Sequence, residues 1–297
     1  QFDLVPETMN AFAVILTLLA AAIAVGIYYL VGPRKQEHSG PALDPREFRS
    51  FKLIKRENVN YNTRFFKFEL QTPNTVLGLP VGQHMRFKCN RGKEVIERDY
   101  TPISSNRQHG SFDLMIKVYE RGAMTQHLEH MAIGDYLSVR GPRGTVIYDS
   151  PSRFKFPFLR EPRKYRDVTH IGMIAGGTGI TPMLQILRQI EFDAKDDTKC
   201  SLIFGNVSEN DILLYEELQE VDRNNKNIDI FFVVDKVETD SAWKGGVGYI
   251  TPQLIQEHLP PPGDETLVLV CGPIVMQDIM TKHLKSLDYP QDSFHMF

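Results

Sequence analysis

Residues 172–185, GMIAGGTGITPMLQ, decide how this chain is read. An apolar run ends in a glycine cluster and opens into a helical pattern, which is the layout of a nucleotide-binding turn. The spacing is not that of the dinucleotide fingerprint G-x-G-x-x-G, because the register from Gly177 runs Gly177, Thr178, Gly179, Ile180, Thr181 and then Pro182. Taken alone, the stretch fits either a tight strand-to-helix turn with no ligand or a site where backbone amides receive phosphate oxygens or a carboxamide edge. Small residues suit the second reading, since a ligand must approach the main chain closely.

The surrounding pattern is one of alternation. Apolar β-runs at 168–175, 201–204, 228–234 and 267–271 are interleaved with helical patterns from Thr181, over 212–222, near 251–258 and over 275–287. Such alternation predicts a parallel sheet with helices on both faces and ligands at the carboxyl ends of the strands. A second glycine turn, CGPIVM at 271–276, also follows a β-run and opens a helix. Two such turns on one sheet flank a shared crevice. Cys271 by itself reads as a small buried hydrophobe.

Upstream the grammar differs. Between 49 and 150 the β-rich runs FKLIKREN, TRFFKFEL, HMRFKC, SFDLMIKVY and YLSVRG follow at close intervals, which predicts an antiparallel barrel or sandwich with one helical insert, AMTQHLEHM. Within it RDYTPIS puts Arg98 and Tyr100 on one face of an extended stretch and Thr101 on the other. A guanidinium suits a pyrophosphate and a phenol suits a flat ring; an exposed arginine beside a packed tyrosine is the plainer alternative.

Residues 11–31, AFAVILTLLAAAIAVGIYYLV, pass without a charge and are long enough as a helix to cross roughly 30 Å of hydrocarbon. The flank before them carries Asp3 and Glu7 and no Lys or Arg, unlike a signal peptide, and a buried core helix is the remaining alternative. Arg34 and Lys35 directly after the run predict a cytosolic C-terminal bulk. The expected organisation is a membrane anchor over 1–32, a proline-punctuated tether over 33–48, the β-rich part over 49–150, a hinge linker over 151–167 and the α/β part over 168–297. A net charge of −3 argues against a general nucleic-acid binder. Cys89, Cys200 and Cys271 are too few and too scattered for a disulfide framework or a zinc site.

Arg98-x-Tyr100-Thr101-x-x-Ser104, then Gly122-Ala123-Met124-Thr125, GGTGIT and CGPIVM, in that order, closely resemble the ferredoxin-reductase-like flavoproteins, and among them the NADH–cytochrome b5 reductases. The resemblance covers nearly all of 51–297. It implies an antiparallel six-stranded β-barrel binding FAD, followed by an α/β parallel-sheet pyridine-nucleotide domain; the N-terminal transmembrane helix is expected from residues 11–31 themselves. It further implies that Arg98 binds FAD phosphate, that Tyr100 lies against the isoalloxazine, and that Thr101 bonds near flavin N5 with His84 close by. Asp99 belongs to the same cofactor strand. Ile116, Lys117, Val118 and Tyr119 line the cofactor, and Gly122, Met124 and Thr125 hold the pyrophosphate. Gly176, Gly177, Thr178, Gly179 and Thr181 reach the flavin and nicotinamide region, while Gly272, Pro273 and Met276 complete the NADH cleft with Cys271 near the nicotinamide. Thr101, Lys117, His84 and Cys271 are the residues expected closest to the chemistry.

The implied reaction is hydride transfer from NADH to FAD, then two single-electron transfers to cytochrome b5, on the endoplasmic reticulum or mitochondrial outer membrane. Rivals are a diaphorase using NADPH, or a quinone or iron acceptor, and a flavin-binding scaffold without turnover. Two positions depart from the pattern: Asp99 stands where relatives often carry proline, and Ala123 where they often carry lysine. Asp235, ending IDIFFVVD, resembles the acidic residue that favours NADH, since a carboxylate accepts from ribose hydroxyls and repels a 2′-phosphate. The hinge carries Arg153, Lys155, Arg160, Arg163, Lys164 and Arg166 against Glu161 and Asp167, which suits docking of an acidic haem protein, attraction to anionic lipid, or a solvated linker.

Overall fold

Alternating burial builds the first half of the fold. In β3 (His84–Arg91), Met85, Phe87 and Cys89 point inward while their neighbours face outward. Alternation also marks β1 (Arg49–Asn58), β2 (Thr63–Glu69) and β6 (Tyr136–Arg143) over part of their length, whereas β4 (Glu94–Tyr100) buries only Ile96 and β5 (Ser111–Lys117) buries Leu114, Met115 and Ile116 in succession. These six strands form one antiparallel sheet in the order β4-β3-β6-β1-β2-β5. Phe51, Phe66, Phe68, Phe87 and Phe112 fill its inside, with Phe68 and Phe112 stacked at 5.3 Å. A short helix, α1 (Ala123–His130), follows β5; Arg64 grips Glu129 near its C-terminus through a bidentate pair.

The expected six-stranded barrel is therefore an open one. β4 and β5 lie at the two ends of the strand order and do not pair with each other.

The computed structural model describes residues 40–156, 165–237 and 242–297, together with Thr17. The span expected over 11–31 lies outside the described residues apart from Thr17. Among the described residues no helix is long and apolar enough to cross a membrane.

The expected hinge carries structure of its own. β7 (Ile147–Ser150), β8 (Arg153–Lys155) and β9 (Tyr165–Asp167) make a three-stranded antiparallel sheet. Arg153 is spent on Asp167, at 2.6 and 3.2 Å, and Arg166 donates to the carbonyls of Asp264, Thr266 and Asp292. Arg160, Glu161, Arg163 and Lys164 lie outside the described residues.

The second half is the predicted parallel sheet. β10 (His170–Gly176), β11 (Lys199–Asn206), β12 (Ile228–Val234), β13 (Gly246–Val247), β14 (Thr266–Cys271) and β15 (Phe294–Met296) run parallel in the order β13-β12-β11-β10-β14-β15. The order reverses between β10 and β14, which places a switch-point crevice at the ends of those two strands. Helices α2 (Ile180–Phe192) and α3 (Tyr215–Asn224) cover one face through Leu184, Leu187, Leu218 and Val221. Helices α4 (Pro252–His258) and α5 (Ile274–Ser286) cover the other through Ile255, Met280 and Leu284. Met173 and Ile174 illustrate the two-sided burial, each packing into a different core.

One apolar core joins the halves. Ile103, Met115, Val146 and Tyr148 from the first half pack with Met173, Met183 and Phe204 of the second. Polar stitches reinforce this seam: the Gly82 amide donates to Gln185 Oε1 at 3.2 Å, and Arg188 bridges the Ile103 carbonyl and Glu217.

Candidate active site

The open edges of the first sheet carry the residues singled out in the sequence. On β4, Ile96, Arg98 and Tyr100 share a face. Tyr100 leans on Phe87 with ring centroids 4.7 Å apart, and burial raises its phenol well above the usual tyrosine range. Arg98 is exposed; it donates to the Glu97 carbonyl at 2.7 Å and pairs with no carboxylate among the described residues. Its guanidinium is thus available to an anion. Thr101 follows directly, partly buried.

Asp99 faces the other way. Arg86, its cross-strand partner on β3, grips it with Nε and Nη2 at 2.7 Å each, and His84 Nε2 stands 3.6 Å away. Burial pushes the Asp99 carboxyl up, but Arg86 and His84 outweigh it and leave a net lowering. Burial also lowers the His84 imidazole, against the pull of Asp99. The structure therefore puts Asp99 in a charge cluster with Arg86 and His84, and not beside Tyr100.

On β5, Leu114 and Ile116 point into the first core while Met115 and Lys117 turn towards the second half. Val118 donates to the Asn62 carbonyl at 2.6 Å, and Tyr119 is half-exposed. Gly122 then starts α1, and a Cβ there would fall 2.3 Å from Thr125 Oγ1. Thr125 accepts from the Tyr119 amide at 3.2 Å, which folds the turn under the helix. Met124 is core, so the group it offers this turn is its main chain.

The two glycine turns of the second sheet meet. β10 runs into Gly177, at φ +54°, then through a 3-10 turn, Gly177–Gly179, into α2. A Cβ on Gly179 would lie 2.2 Å from the Cys271 carbonyl oxygen, and one on Gly272 would lie 3.4 Å from Gly176 Cα. Met276 Sδ fills the space beside Gly176 and Gly272, and exposed Pro273 starts α5. Thr181 Oγ1 donates back to the Thr178 carbonyl at 3.1 Å. Burial pushes the Cys271 thiol up to about 12, so it is a neutral thiol at physiological pH. Asp235 is exposed just past β12, its amide bonded to the Asn206 carbonyl at 3.0 Å.

Helix ends separate these turns from the rest of the molecule. The N-termini of α1, α2 and α5 have neither a capping side-chain bond nor an acidic residue in the first turn. By contrast, α4 is capped by Thr251, and α3 carries Glu216 and Glu217. Uncapped amides and positive dipole ends at the starts of α1 and α5 suit a phosphate-bearing ligand, whereas at α2 the Ile180 amide is already bonded to the Gly177 and Thr178 carbonyls.

Asn206, which the sequence reading passed over, strengthens this. It ends β11, is 8% exposed, and has neither side-chain oxygen nor nitrogen in a hydrogen bond. A buried amide without partners costs free energy unless a ligand or water satisfies it. A single asparagine at a strand end carries no periodic signal, which is why pattern reading missed it. These features fit a flavin against β4, β5 and α1, and a pyridine nucleotide across the turns after β10, β11 and β14.

Fold and site together define a two-part oxidoreductase with a flavin-binding half and a nicotinamide-nucleotide-binding half. Residues 50–148 match the oxidoreductase FAD-binding domain family and residues 173–282 the oxidoreductase NAD-binding domain family. The chain is 38% identical over 291 residues to NADH-cytochrome b5 reductase 1 of Dictyostelium discoideum, covering 94% of this chain and 96% of that one. It is 42% identical over 267 residues to NADH-cytochrome b5 reductase 2 of Mus musculus, covering 86% and 96%. Among solved structures, the cytochrome b5 reductase domain of Ulva prolifera nitrate reductase superposes with a TM-score of 0.80 at 30% identity, over 87% of this chain and all of that one. The chain belongs to the NADH–cytochrome b5 reductase family.

Proposed function

We propose that this protein oxidises NADH, collects the electrons on FAD and passes them singly to cytochrome b5. Bound FAD supplies the conversion of a two-electron donor into two one-electron transfers. The chain's own part is to bind and orient. Arg98 and the bare α1 N-terminus at Gly122, Met124 and Thr125 neutralise the flavin pyrophosphate, while Tyr100 and the main chain at Ile116–Tyr119 wall its ring. Gly176–Gly179, Thr181 and the Cys271–Met276 turn seat the nicotinamide, with Asp235 on the adenosine ribose. Residues 49–150 serve as the FAD domain and 168–297 as the NAD domain. Cys271, a neutral thiol, packs there and does not attack.

The observation that carries this reading is the contact of the Gly177–Gly179 turn with the Cys271–Gly272 turn, beside β5 at one end of the first sheet. The test is steady-state oxidation of NADH with cytochrome b5, a quinone and a ferric chelate as alternative acceptors. Preferred reduction of cytochrome b5 supports the assignment, and preference for another acceptor would refute it.

We further propose that residues 11–31 anchor the protein in the endoplasmic reticulum or outer mitochondrial membrane with residues 40–297 in the cytosol. Deleting residues 1–32 should move the protein from the membrane pellet to the supernatant with its NADH oxidation intact.

A further inference from the structure

Lys117 and Asp211 come from different halves of the fold, 94 positions apart. Lys117 ends β5, and Asp211 ends a 3-10 turn, Glu209–Asp211, after β11. The Lys117 ammonium stands 3.2 Å from Asp211 Oδ1, the same oxygen accepts the Tyr61 hydroxyl at 2.8 Å, and Oδ2 accepts Ser208 Oγ at 2.7 Å. The Asp211 side chain is 4% exposed and that of Lys117 18%. Burial alone would raise the Asp211 carboxyl, but bonds from Ser208, Tyr61 and Lys117 outweigh it and hold it below the usual range. Asp211 is a fully engaged carboxylate, not a spare one.

The backbone around the cluster is equally tied. Asn60 Oδ1 accepts the amides of Asn62 and Thr63, and Asn60 Nδ2 donates to the Asn210 carbonyl at 3.4 Å. Asn62 in turn accepts from the amide of Val118. The turn between β1 and β2 is thus bonded on one side to the neighbour of Lys117 and on the other to the neighbour of Asp211. β5 also runs beside the Gly177–Gly179 turn, which brings the strand that ends in Lys117 up to the crevice.

We propose that Asp211 is the positioning residue for Lys117, holding its ammonium in one place so that an entering dinucleotide phosphate meets a pre-set charge. A lysine on a free four-carbon stem loses rotamer freedom when it meets an anion; one already held loses little, and the ligand gains affinity. Tyr61, 71% exposed, supplies the bond that closes the cluster from the solvent side. This rests on the dinucleotide reading of the crevice.

The test is equilibrium binding of NAD+ and ADP-ribose to the FAD-loaded full chain, followed by flavin fluorescence, in Lys117→Gln, Asp211→Asn, Tyr61→Phe and the Lys117→Gln/Asp211→Asn pair. Each of the first two should weaken binding by about 5- to 10-fold and Tyr61→Phe by about 2- to 3-fold, while the double variant loses no more than Lys117→Gln alone. Tyr61→Phe should raise the KM for NADH and leave kcat within about twofold. Wild-type affinity in Asp211→Asn or Tyr61→Phe, or losses that multiply in the double variant, would overturn the proposal. If the wild-type protein itself neither binds these ligands nor oxidises NADH, the dinucleotide reading falls with it. A wild-type protein that oxidises NADH, with dinucleotide affinity unchanged by Asp211→Asn, sinks the positioning role alone.

Discussion

Replacing Gly179 with alanine tests whether the two glycine turns work as one seat. The added Cβ would stand 2.2 Å from the Cys271 carbonyl oxygen, 2.6 Å from its carbon and 3.0 Å from the Gly272 amide nitrogen. All three are backbone atoms, so no side-chain rotation relieves the clash, and one turn must move by about 1 Å to restore ordinary contact. Overpacking of this kind costs about 1–3 kcal/mol of stability. The larger effect falls on reactivity, because a shift of about 1 Å at a positioned reactant costs on the order of 100-fold in rate. Gly177→Ala is the graded control: its Cβ meets nothing within 4 Å, and its cost is confined to the left-handed backbone at φ +54°, about 1–2 kcal/mol. The assay is stopped-flow reduction of the bound flavin by NADH under anaerobic conditions, with visible absorbance first establishing that both variants hold FAD. Gly179→Ala should keep its colour and lose roughly two orders of magnitude in reduction rate. Wild-type rates in a folded, yellow Gly179→Ala protein would refute the shared-seat argument.

Further perturbations separate the other parts of the account. Asp235→Ala should raise kcat/KM for NADPH by about 10-fold while lowering it for NADH, because a 2′-phosphate no longer meets a carboxylate; unchanged discrimination would remove Asp235 from the ribose site. His295, packed between Phe156 and Phe297 with Thr145 Oγ1 at 3.3 Å, is lowered to about 4 by burial. The unfolded chain takes up this proton first as pH falls below about 6.5, so stability is whole above that value and drains away towards pH 4. His295→Gln should therefore flatten the fall in denaturation midpoint between pH 7.5 and 5, by at most about 2 kcal/mol, and an unaltered slope would contradict the burial argument. Neutralising Arg163 and Lys164 should raise the KM for cytochrome b5 and flatten its salt dependence. Arg166→Gln should instead lower the melting temperature, since its three carbonyl bonds tie β9 to the second sheet; kinetic loss without destabilisation would put Arg166 back among the docking residues.

Local pattern carried the parts of the fold that are local. The strands β10, β11, β12 and β14 read as apolar runs because both of their faces are covered, and residues 228–234 coincide with β12 to the residue. The helix expected from Ile212 begins at Tyr215. A 3-10 turn at Glu209–Asp211 and a left-handed Leu214, at φ 57°, intervene, and neither leaves a trace in hydrophobic spacing. The hinge hid β8 and β9 because three-residue strands are too short for a two-residue period to register. Arg98 and Tyr100 were legible as a pair through strand alternation, and that rule also turns Asp99 away from them towards Arg86. The Tyr61–Asp211–Lys117 cluster was out of reach, since its members sit on segments that meet only after both halves have folded and packed.

The central claim is that one crevice brings FAD and NADH together. Its most direct test is an anaerobic visible-absorbance titration of purified residues 48–297 with NADH and, separately, NADPH. The account predicts a yellow protein bleached by about one equivalent of NADH, with a broad long-wavelength band and little response to NADPH. Colourless protein that takes up no FAD would contradict the enzyme assignment, and bleaching by NADPH alone would contradict the role given to Asp235.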